Sequence, residues 1–195
     1  MTGEARGLLV VIAGPSGVGK GTVHARLRTL LPDSHLSVSA TTRPPRPGER
    51  DGTDYLFVST EEFNRLVHAD QLLEWASYAD NLYGTPRAAV DEAVAAGKVV
   101  LLDIEVQGAL QVQQHHPDAL LVFLEPPSFG ELERRLEARG TEAGEELRRR
   151  LIRAREELLQ AGEFDLRVVN DDLDTCVDEV LQAIQDTREG RFQAG

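Results

Sequence analysis

A glycine-rich turn directly after an apolar run constrains this chain more than any other feature. The run is Leu8–Ala13, and the turn reads Gly-Pro-Ser-Gly-Val-Gly-Lys-Gly-Thr over residues 14–22. The run predicts a buried strand, and the residues after the turn predict a helix to about Leu31 that stops before Pro32. Backbone N–H groups of such a turn form a nest for an anion, and the helix N-terminus adds a positive dipole end. The pattern therefore predicts a phosphate-binding loop.

The residue types in this loop suit a nucleotide. Glycine lets the backbone curl closely around a phosphate where a Cβ would clash, and Lys20 supplies a mobile positive charge for the β- and γ-phosphates. Residue 21 is glycine where the motif has Ser or Thr, so it cannot coordinate Mg²⁺. We expect the metal to be held mainly by phosphates and water, with support from Thr22 and Asp103. The predicted nucleotide-binding residues of the loop are Gly14, Pro15, Ser16, Gly17, Val18, Gly19, Lys20, Gly21 and Thr22.

Composition and charge narrow the classes of function. The 195 residues suffice for one domain with a sizeable core. A net charge of −12 argues against a nucleic-acid binder, which needs a basic footprint. The single cysteine, Cys176, allows no internal disulfide, and no apolar run is long enough to span a membrane. We therefore predict a cytoplasmic protein with no membrane or nucleic-acid partner, and leave its oligomeric state open.

Strand and helix patterns alternate along the chain. Continuous apolar runs such as Val99–Ile104 and Leu120–Leu124 are typical of strands buried on both faces. Ser59 with Glu62, and Ser128 with Glu131, have the spacing of helix-capping boxes, and Thr85-Pro86 has the pattern of a helix start. Strands separated by helices predict an α/β fold, a parallel sheet with helices on both faces. Further strands are predicted at 36–39, 54–58, 72–76 and 166–170, and further helices at 144–160 and 173–187.

A second constellation is an arginine-rich segment, Thr41–Glu49. Arg43 and Arg46 are separated by two prolines, which stiffen the backbone and reduce the entropy lost on binding. Guanidinium groups match phosphate oxygens two at a time. The segment fits a monophosphate site, and the alternative is an ordinary solvated basic loop.

These segments resemble guanylate kinases, and they follow one another along the chain as in that family over about 8–187. The resemblance implies a P-loop NTPase core formed by 1–37, 88–127 and 156–195, a GMP-binding insert of short strands at 38–87 and a helical lid at 128–155. It rests on the glycine-rich loop, Ser37–Arg46, Asp54-Tyr55, Leu73-Glu74-Trp75, Tyr83-Gly84-Thr85, Asp103–Gly108, Arg139-Gly140-Thr141 and Val169–Asp172.

The resemblance also implies roles for individual residues. ATP would be bound by the loop, by the lid arginines Arg135 and Arg139, and by Asn170, which would lie near the adenine. Lys20 and four arginines would stabilise the transferring phosphoryl group; these arginines are Arg43, Arg135, Arg139 and Arg150. The family's GMP contacts fall on Ser39, Arg43, Arg46, Tyr55, Glu74, Tyr83, Thr85, Asp103 and Glu105.

Guanine chemistry independently suits Glu74. Guanine presents two donors, N1–H and N2–H, on one edge, and an ionised carboxylate is an acceptor-only fork. Taken alone, Glu74 would be a surface glutamate on a strand and Trp75 a core residue. Asp103 and Glu105, two apart at a strand end, are expected to face the same way. The partner of Glu105, either GMP or Arg43, stays open.

The resemblance therefore implies ATP + GMP → ADP + GDP, with Mg²⁺. Two alternatives exist: a kinase for another nucleoside monophosphate, and an inactive guanylate-kinase-like interaction module. Glu74 and Ser39 disfavour the first. The complete loop with Lys20 disfavours the second, because such modules have a degraded phosphate loop.

Overall fold

In the computed structural model, residues 7–78, 80–138 and 144–192 are described, without the side chains of Tyr78 and Glu146. Within these ranges the chain alternates strands and helices. The strands are β1 (Leu8–Ala13), β2 (His35–Leu36), β3 (Ala40–Thr41), β4 (Leu56–Phe57), β5 (Leu72–Tyr78), β6 (Asn81–Pro86), β7 (Val99–Asp103), β8 (Leu120–Glu125) and β9 (Leu166–Val169). The helices are α1 (Lys20–Leu30), α2 (Thr60–His68), α3 (Arg87–Ala95), α4 (Val106–His115), α5 (Phe129–Ala138), α6 (Glu145–Leu158) and α7 (Leu173–Arg188), with a short 3₁₀ helix at Ala161–Glu163.

The larger sheet has the order β2-β7-β1-β8-β9, and its paired strands are parallel. Alternate residues of β1 serve two cores: Val10 and Ile12 pack toward α1 and α7, and Leu9 and Val11 pack with residues of α3 and α4. Burial on both faces explains why the central strands read as continuous apolar runs. The predicted α/β fold, a parallel sheet with helices on both faces, is confirmed.

The helix starts follow local chemistry. The Ser59 hydroxyl accepts a hydrogen bond from the Glu62 N–H at 3.1 Å, and the Ser128 hydroxyl accepts one from the Glu131 N–H at 3.1 Å. Both predicted caps are confirmed. α6 ends at Leu158, so the predicted boundary between lid and core at 155 falls inside this helix.

A second sheet has the order β4-β3-β6-β5 and is mixed: β3 and β4 are parallel, and the other pairs are antiparallel. The sequence predicted no strand at Asn81–Pro86, and the helix start predicted at Thr85-Pro86 is one residue early, since Pro86 is the N-cap of α3. Thr85 and Pro86 end β6, and α3 begins at Arg87. Asn, Gly and Pro are poor strand formers, but Gly84 is needed there, because a Cβ would lie 2.9 Å from the Glu74 carbonyl oxygen.

Three further sequence expectations differ from the structure. The strand expected at 36–39 is replaced by two short strands that flank Ser37–Ser39. Helix α4 was not predicted, and its N-cap residue Glu105 makes no side-chain capping bond that would have marked its start. Trp75 is 42% exposed rather than a core residue, because it borders a cleft that is also lined by residues of α4 and α6.

No helix in the described ranges has the length and apolar character needed to cross a membrane. Cys176 lies in the core on α7, where burial raises the pKa of its thiol to about 11. The thiol is therefore protonated at neutral pH and packs as a small apolar group.

Candidate active site

The glycine-rich loop lies between the carboxyl end of β1 and α1, and two of its glycines are required by close approach. Gly14 has a φ of 144°, and a Cβ there would lie 2.4 Å from the Leu124 carbonyl oxygen. Gly19 has a φ of 106°, and a Cβ there would lie 2.5 Å from Asn170 Nδ2. The loop is therefore pressed against the end of β8 and the residue after β9. Only glycine combines these backbone angles with this proximity.

Lys20 and Arg150 donate hydrogen bonds to the loop. Lys20 Nζ donates to the Gly14 carbonyl oxygen at 2.7 Å, so the lysine spans the loop from its last turn to its first residue. Arg150 of α6 donates from Nη2 to the Ser16 hydroxyl at 2.5 Å. One positive charge therefore comes from the loop itself, and another comes from a helix more than a hundred residues later in the chain.

Arg135 and Asn170 form the wall beside the loop. Asn170 is buried, and its Nδ2 donates to the Val18 carbonyl oxygen at 2.7 Å. Both terminal nitrogens of Arg135 donate to the Asn170 carbonyl oxygen at 3.2 Å, and its Nε donates to Glu131 at 2.8 Å. These residues border a cleft of about 380 Å³ that opens between α1 and α5. Its size suits a nucleoside.

The donors available to a metal near the loop are few. Thr22 lines the cleft, Gly21 contributes no side chain, and Asp103 lies exposed at the end of β7. Among the described residues, no cluster of three or more His, Cys, Asp or Glu side chains has metal-binding geometry. One hydroxyl and one carboxylate fit Mg²⁺ that takes most of its ligands from phosphates and water.

The arginine-rich segment brings Arg43 to two aromatic rings. Its guanidinium carbon lies 5.4 Å from the Tyr55 ring centre and 5.8 Å from the Phe57 ring centre. Tyr55 and Tyr83 meet edge to face with ring centres 6.0 Å apart. Burial, then the neighbouring Tyr83, raises the pKa of Tyr55, which keeps its hydroxyl available as a hydrogen-bond donor. Arg43, Tyr55 and Tyr83 therefore form one cluster.

Glu49 occupies the donor fork of Arg43. The two terminal nitrogens of Arg43 donate to the two oxygens of Glu49 at 3.0 and 2.9 Å, and the Arg46 backbone N–H donates to the same carboxylate at 2.7 Å. These bonds to Arg43, then to Arg46, hold the pKa of Glu49 below its usual range. A planar anion is thus bound at the predicted phosphate site, supplied by the chain itself. The Arg46 side chain is exposed.

Glu74 lies on β5 and is buried, with 6% of its surface exposed. Thr85, directly opposite on β6, donates from its hydroxyl to Glu74 Oε1 at 2.7 Å. Burial raises the pKa of Glu74 to about 7, against the smaller opposing effect of the Thr85 hydrogen bond. A buried carboxylate with one oxygen satisfied can accept hydrogen bonds from a ligand on its second oxygen.

Glu105 is paired with a helix outside the predicted acceptor region. It is the N-cap of α4, and it forms an ion pair with Arg153 of α6. β7 ends at Asp103, so the strand alternation expected to align Asp103 with Glu105 does not extend to Glu105. In this structure Glu105 is thus paired with Arg153 and not with Arg43, whose partner is Glu49.

Comparisons with known proteins agree with this geometry. The family model described as guanylate kinase matches residues 6–187. The chain belongs to the guanylate kinase family. Among its curated relatives, the guanylate kinase of Synechococcus sp. strain CC9311 is 58% identical over 87% of this chain and 90% of its own length. The guanylate kinase of Thermobifida fusca is 55% identical, with 90% of each chain covered. The crystal structure of guanylate kinase from Anaplasma phagocytophilum has a TM-score of 0.78 at 30% identity and covers 98% of this chain and 92% of its own.

The structure gathers the residues that guanylate kinase resemblance selected into two groups. Lys20, Arg135, Arg150 and Asn170 lie at the loop. The residues of the predicted GMP site lie on the smaller sheet as two clusters, Arg43 with Tyr55 and Tyr83, and Glu74 with Thr85, which β6 connects because it carries Tyr83 and Thr85. Ser39 lies just before β3, where its carbonyl oxygen accepts from the Leu56 N–H at 2.9 Å. Arg139 lies outside the described residues.

Two partners in these groups were not identified from the sequence. Glu49 could have been found, because the turn Pro47-Gly48 brings it back toward Arg43, six residues earlier. Arg153 carries no such signal, since only the packing of α6 against the start of α4 brings it to Glu105.

Proposed function

We propose that this guanylate kinase family chain transfers the γ-phosphoryl group of ATP to GMP, with the two groups of residues as donor and acceptor sites. The observation that carries the proposal is Glu74. A carboxylate buried in this way is costly unless a ligand or partner satisfies it. The N1–H and N2–H groups of guanine are two adjacent donors of the kind that an acceptor-only fork binds.

On the donor side, the glycine-rich loop would bind the ATP phosphates through its backbone N–H groups. Lys20 would exchange its bond with the Gly14 carbonyl oxygen for the β- and γ-phosphates. Arg135 and Arg150 would add positive charge where negative charge develops during transfer. Asn170 would border the adenosine in the cleft between α1 and α5.

On the acceptor side, the GMP phosphate would take the place of Glu49 on the fork of Arg43. Arg46, Tyr55 and Tyr83 would complete the phosphate site, with Ser39 and Thr85 beside the base. A GMP phosphate oxygen then attacks the γ-phosphorus in line; the new O–P bond forms as the bond to the β-phosphate oxygen breaks, and ADP leaves with that electron pair.

Transfer also requires neutralisation of phosphate charge, which Mg²⁺ would supply when bound. Thr22 and Asp103 would support the ion or its water ligands from the protein side. Asp103 follows the buried part of β7, so its backbone position is fixed even though its side chain is exposed.

Replacing Arg43 with Ala should weaken GMP far more than ATP. A charge-assisted hydrogen bond is worth roughly 1.5–3 kcal/mol, which corresponds to about a ten- to hundredfold rise in the KM for GMP. Steady-state kinetics with each substrate varied in turn measures this. The matched control is Arg50→Ala, an exposed arginine directly after the same segment. Equal weakening of both nucleotides would place Arg43 outside the acceptor site.

The pH dependence should report on Glu74. Its carboxyl gains a proton as the pH falls through about 7, and a protonated oxygen faces guanine with a donor instead of an acceptor. We expect kcat/KM for GMP, which reflects the free enzyme, to fall below pH 7 by up to about tenfold per unit. The GMP phosphate itself titrates near pH 6. The control is therefore Glu74→Gln, which keeps the pH dependence of the phosphate and removes that of the Glu74 carboxyl. Identical pH profiles in both proteins would contradict the assignment.

A substrate panel tests the proposed activity. Purified protein is assayed with ATP and Mg²⁺ against GMP, dGMP, AMP, CMP and UMP, with ADP formation as the readout. We expect GMP to be strongly preferred over AMP, CMP and UMP. Preference for another base would indicate a different monophosphate kinase, and no turnover with correctly folded protein would indicate an interaction module.

A further inference from the structure

Helix α4 covers the Glu74 carboxylate with a residue that has no side chain. Gly108, in the first turn of α4, approaches so closely that a Cβ built on it would lie 2.5 Å from Glu74 Oε2 and 3.2 Å from Glu74 Cδ. The next nearest atom is the end of the Ile104 side chain at 3.4 Å. Added bulk at 108 would therefore displace the carboxylate before it disturbed the backbone. The glycine sets how far the carboxylate can extend.

One helical turn later, Gln111 holds the main chain beside Glu74. Its Oε1 accepts from the Trp75 N–H at 3.1 Å, and its Nε2 donates to the Trp75 carbonyl oxygen at 3.0 Å. β5 is the last strand in its sheet, so the amide of Gln111 takes the position that a further strand would occupy. Residues three apart share a face of a helix. The same face of α4 therefore contacts both the carboxylate of Glu74 and the peptide that follows it.

We propose that Gly108 and Gln111 are positioning residues for base recognition. They act by holding the carboxylate of Glu74 in the position in which it binds the base. This inference rests on the proposed role of Glu74 as the reader of guanine. Thr85 fixes one carboxylate oxygen, Gly108 limits the space at the other, and Gln111 fixes the backbone. A fork fixed on three sides discriminates bases without rearrangement, because donors and acceptors must meet within a few tenths of an ångström.

The contacts of α4 also show how a residue on an edge strand of the smaller sheet, Glu74 on β5, is held in position. Such a strand has one row of N–H and C=O groups without a partner in the sheet. Gln111 pairs one peptide of that row with a helix of the larger sheet's core. The position of Glu74 is thereby set by the nucleotide-binding core and not only by its own sheet.

The first test is Gly108→Ala, with Gly130→Ala as the matched control. Both glycines lie in the first turn of a helix, but the atom nearest to a Cβ at 130 is 4.0 Å away. The probe for base reading is IMP, which keeps the N1–H and the phosphate of GMP and lacks the 2-amino group. In Gly108→Ala we expect the GMP-to-IMP ratio of kcat/KM to narrow by about tenfold, the loss of one charge-assisted hydrogen bond. The KM for ATP should stay within about twofold of wild type, and Gly130→Ala should leave the ratio unchanged.

The second test is Gln111→Met, which keeps the length of the side chain and removes both hydrogen bonds. Its control is Gln114→Met at an exposed position of the same helix. We again expect a narrowed GMP-to-IMP ratio, carried by the KM for GMP, with an unchanged KM for ATP. A purely structural defect would lower kcat for GMP and IMP alike and leave their ratio unchanged. This variant decides the matter if Gly108→Ala does not fold.

Glu74→Gln, measured beside these variants, separates the two proposals. If Glu74→Gln narrows the ratio and neither α4 variant does, the positioning role of α4 is overturned and the role of Glu74 stands. If Glu74→Gln leaves the ratio unchanged, the base is read elsewhere and both proposals fail. Narrowing in all three variants, with intact controls, supports both.

Discussion

Lys20→Ala should lower turnover by roughly 10²–10³-fold, in line with the removal of a single group that stabilises transition-state charge. The lysine lies at the first turn of α1, and its Nζ bonds to the Gly14 carbonyl oxygen. That bond joins two parts of the same loop and no core side chain, so the variant should fold. The glycine-rich backbone and Arg150 would still contact the phosphates in the proposed site, so binding of ATP should weaken less than turnover.

The measurement is kcat from initial rates at saturating ATP and GMP, alongside circular dichroism and thermal melting of both proteins. Lys98→Ala, an exposed lysine before β7, is the matched control and should retain wild-type activity. Near wild-type turnover in folded Lys20→Ala would contradict the assignment of the loop as the phosphate site.

The strand, glycine-rich turn and helix of the predicted phosphate site could be predicted from the sequence because their determinants are local. The strand Leu8–Ala13, the glycines and Lys20 are contiguous, and their order alone specifies a strand, an anion-binding turn and a helix. The capping serines at 59 and 128 act on N–H groups only three residues away. Such patterns are visible wherever the interacting groups lie within one helical turn.

The acceptor site could not be built in this way. Glu74 is buried and bonded to Thr85 only because β5 pairs with β6 in a register that sets the two residues opposite each other. The strand β6 was itself missed, since Asn81, Gly84 and Pro86 lower its strand propensity. Resemblance to guanylate kinases selected both residues, whereas the chemistry of an isolated glutamate indicated a surface position.

The remaining differences arise from contacts between distant elements. Trp75 is exposed because it borders the cleft toward α6, and its main chain is bound by Gln111, 36 residues later. Glu105 finds its partner Arg153 only through the packing of α6. No local periodicity encodes either contact, because both depend on how helices are placed around the finished sheets.

Glu74→Gln should lower the activity with GMP and raise the stability of the fold. For function, the amide keeps the size of the carboxylate but replaces one acceptor with a donor, which then faces a guanine N–H. Two charge-assisted hydrogen bonds are affected, at roughly 1.5–3 kcal/mol each. We expect kcat/KM for GMP to fall by about 10²-fold or more, with little change in the KM for ATP and a narrower preference for GMP over AMP.

For stability, the sign follows from the raised pKa. The folded-state pKa of Glu74 is about 7 against an ordinary value of 4.5, so the folded protein binds the proton more tightly than the unfolded chain. Ionised Glu74 therefore destabilises the fold above pH 7, by an amount on the order of 3 kcal/mol. This destabilisation fades as the pH falls from 7 toward 4.5, and below 4.5 the carboxyl is protonated in both states.

Glutamine cannot ionise, yet its side-chain oxygen still accepts the Thr85 hydroxyl bond. In the absence of nucleotide, Glu74→Gln should raise the Tm at pH 8 by several degrees, since about 1 kcal/mol shifts the Tm of a chain this size by roughly 2–4 °C. The gain should shrink on lowering the pH below 7. Thermal melts across pH 5–8 measure it, with Glu92→Gln at an exposed position of α3 as the control. A loss of both stability and GMP selectivity, or a Tm gain that does not depend on pH, would contradict the claim that burial of the ionised Glu74 carboxylate costs stability in the absence of GMP.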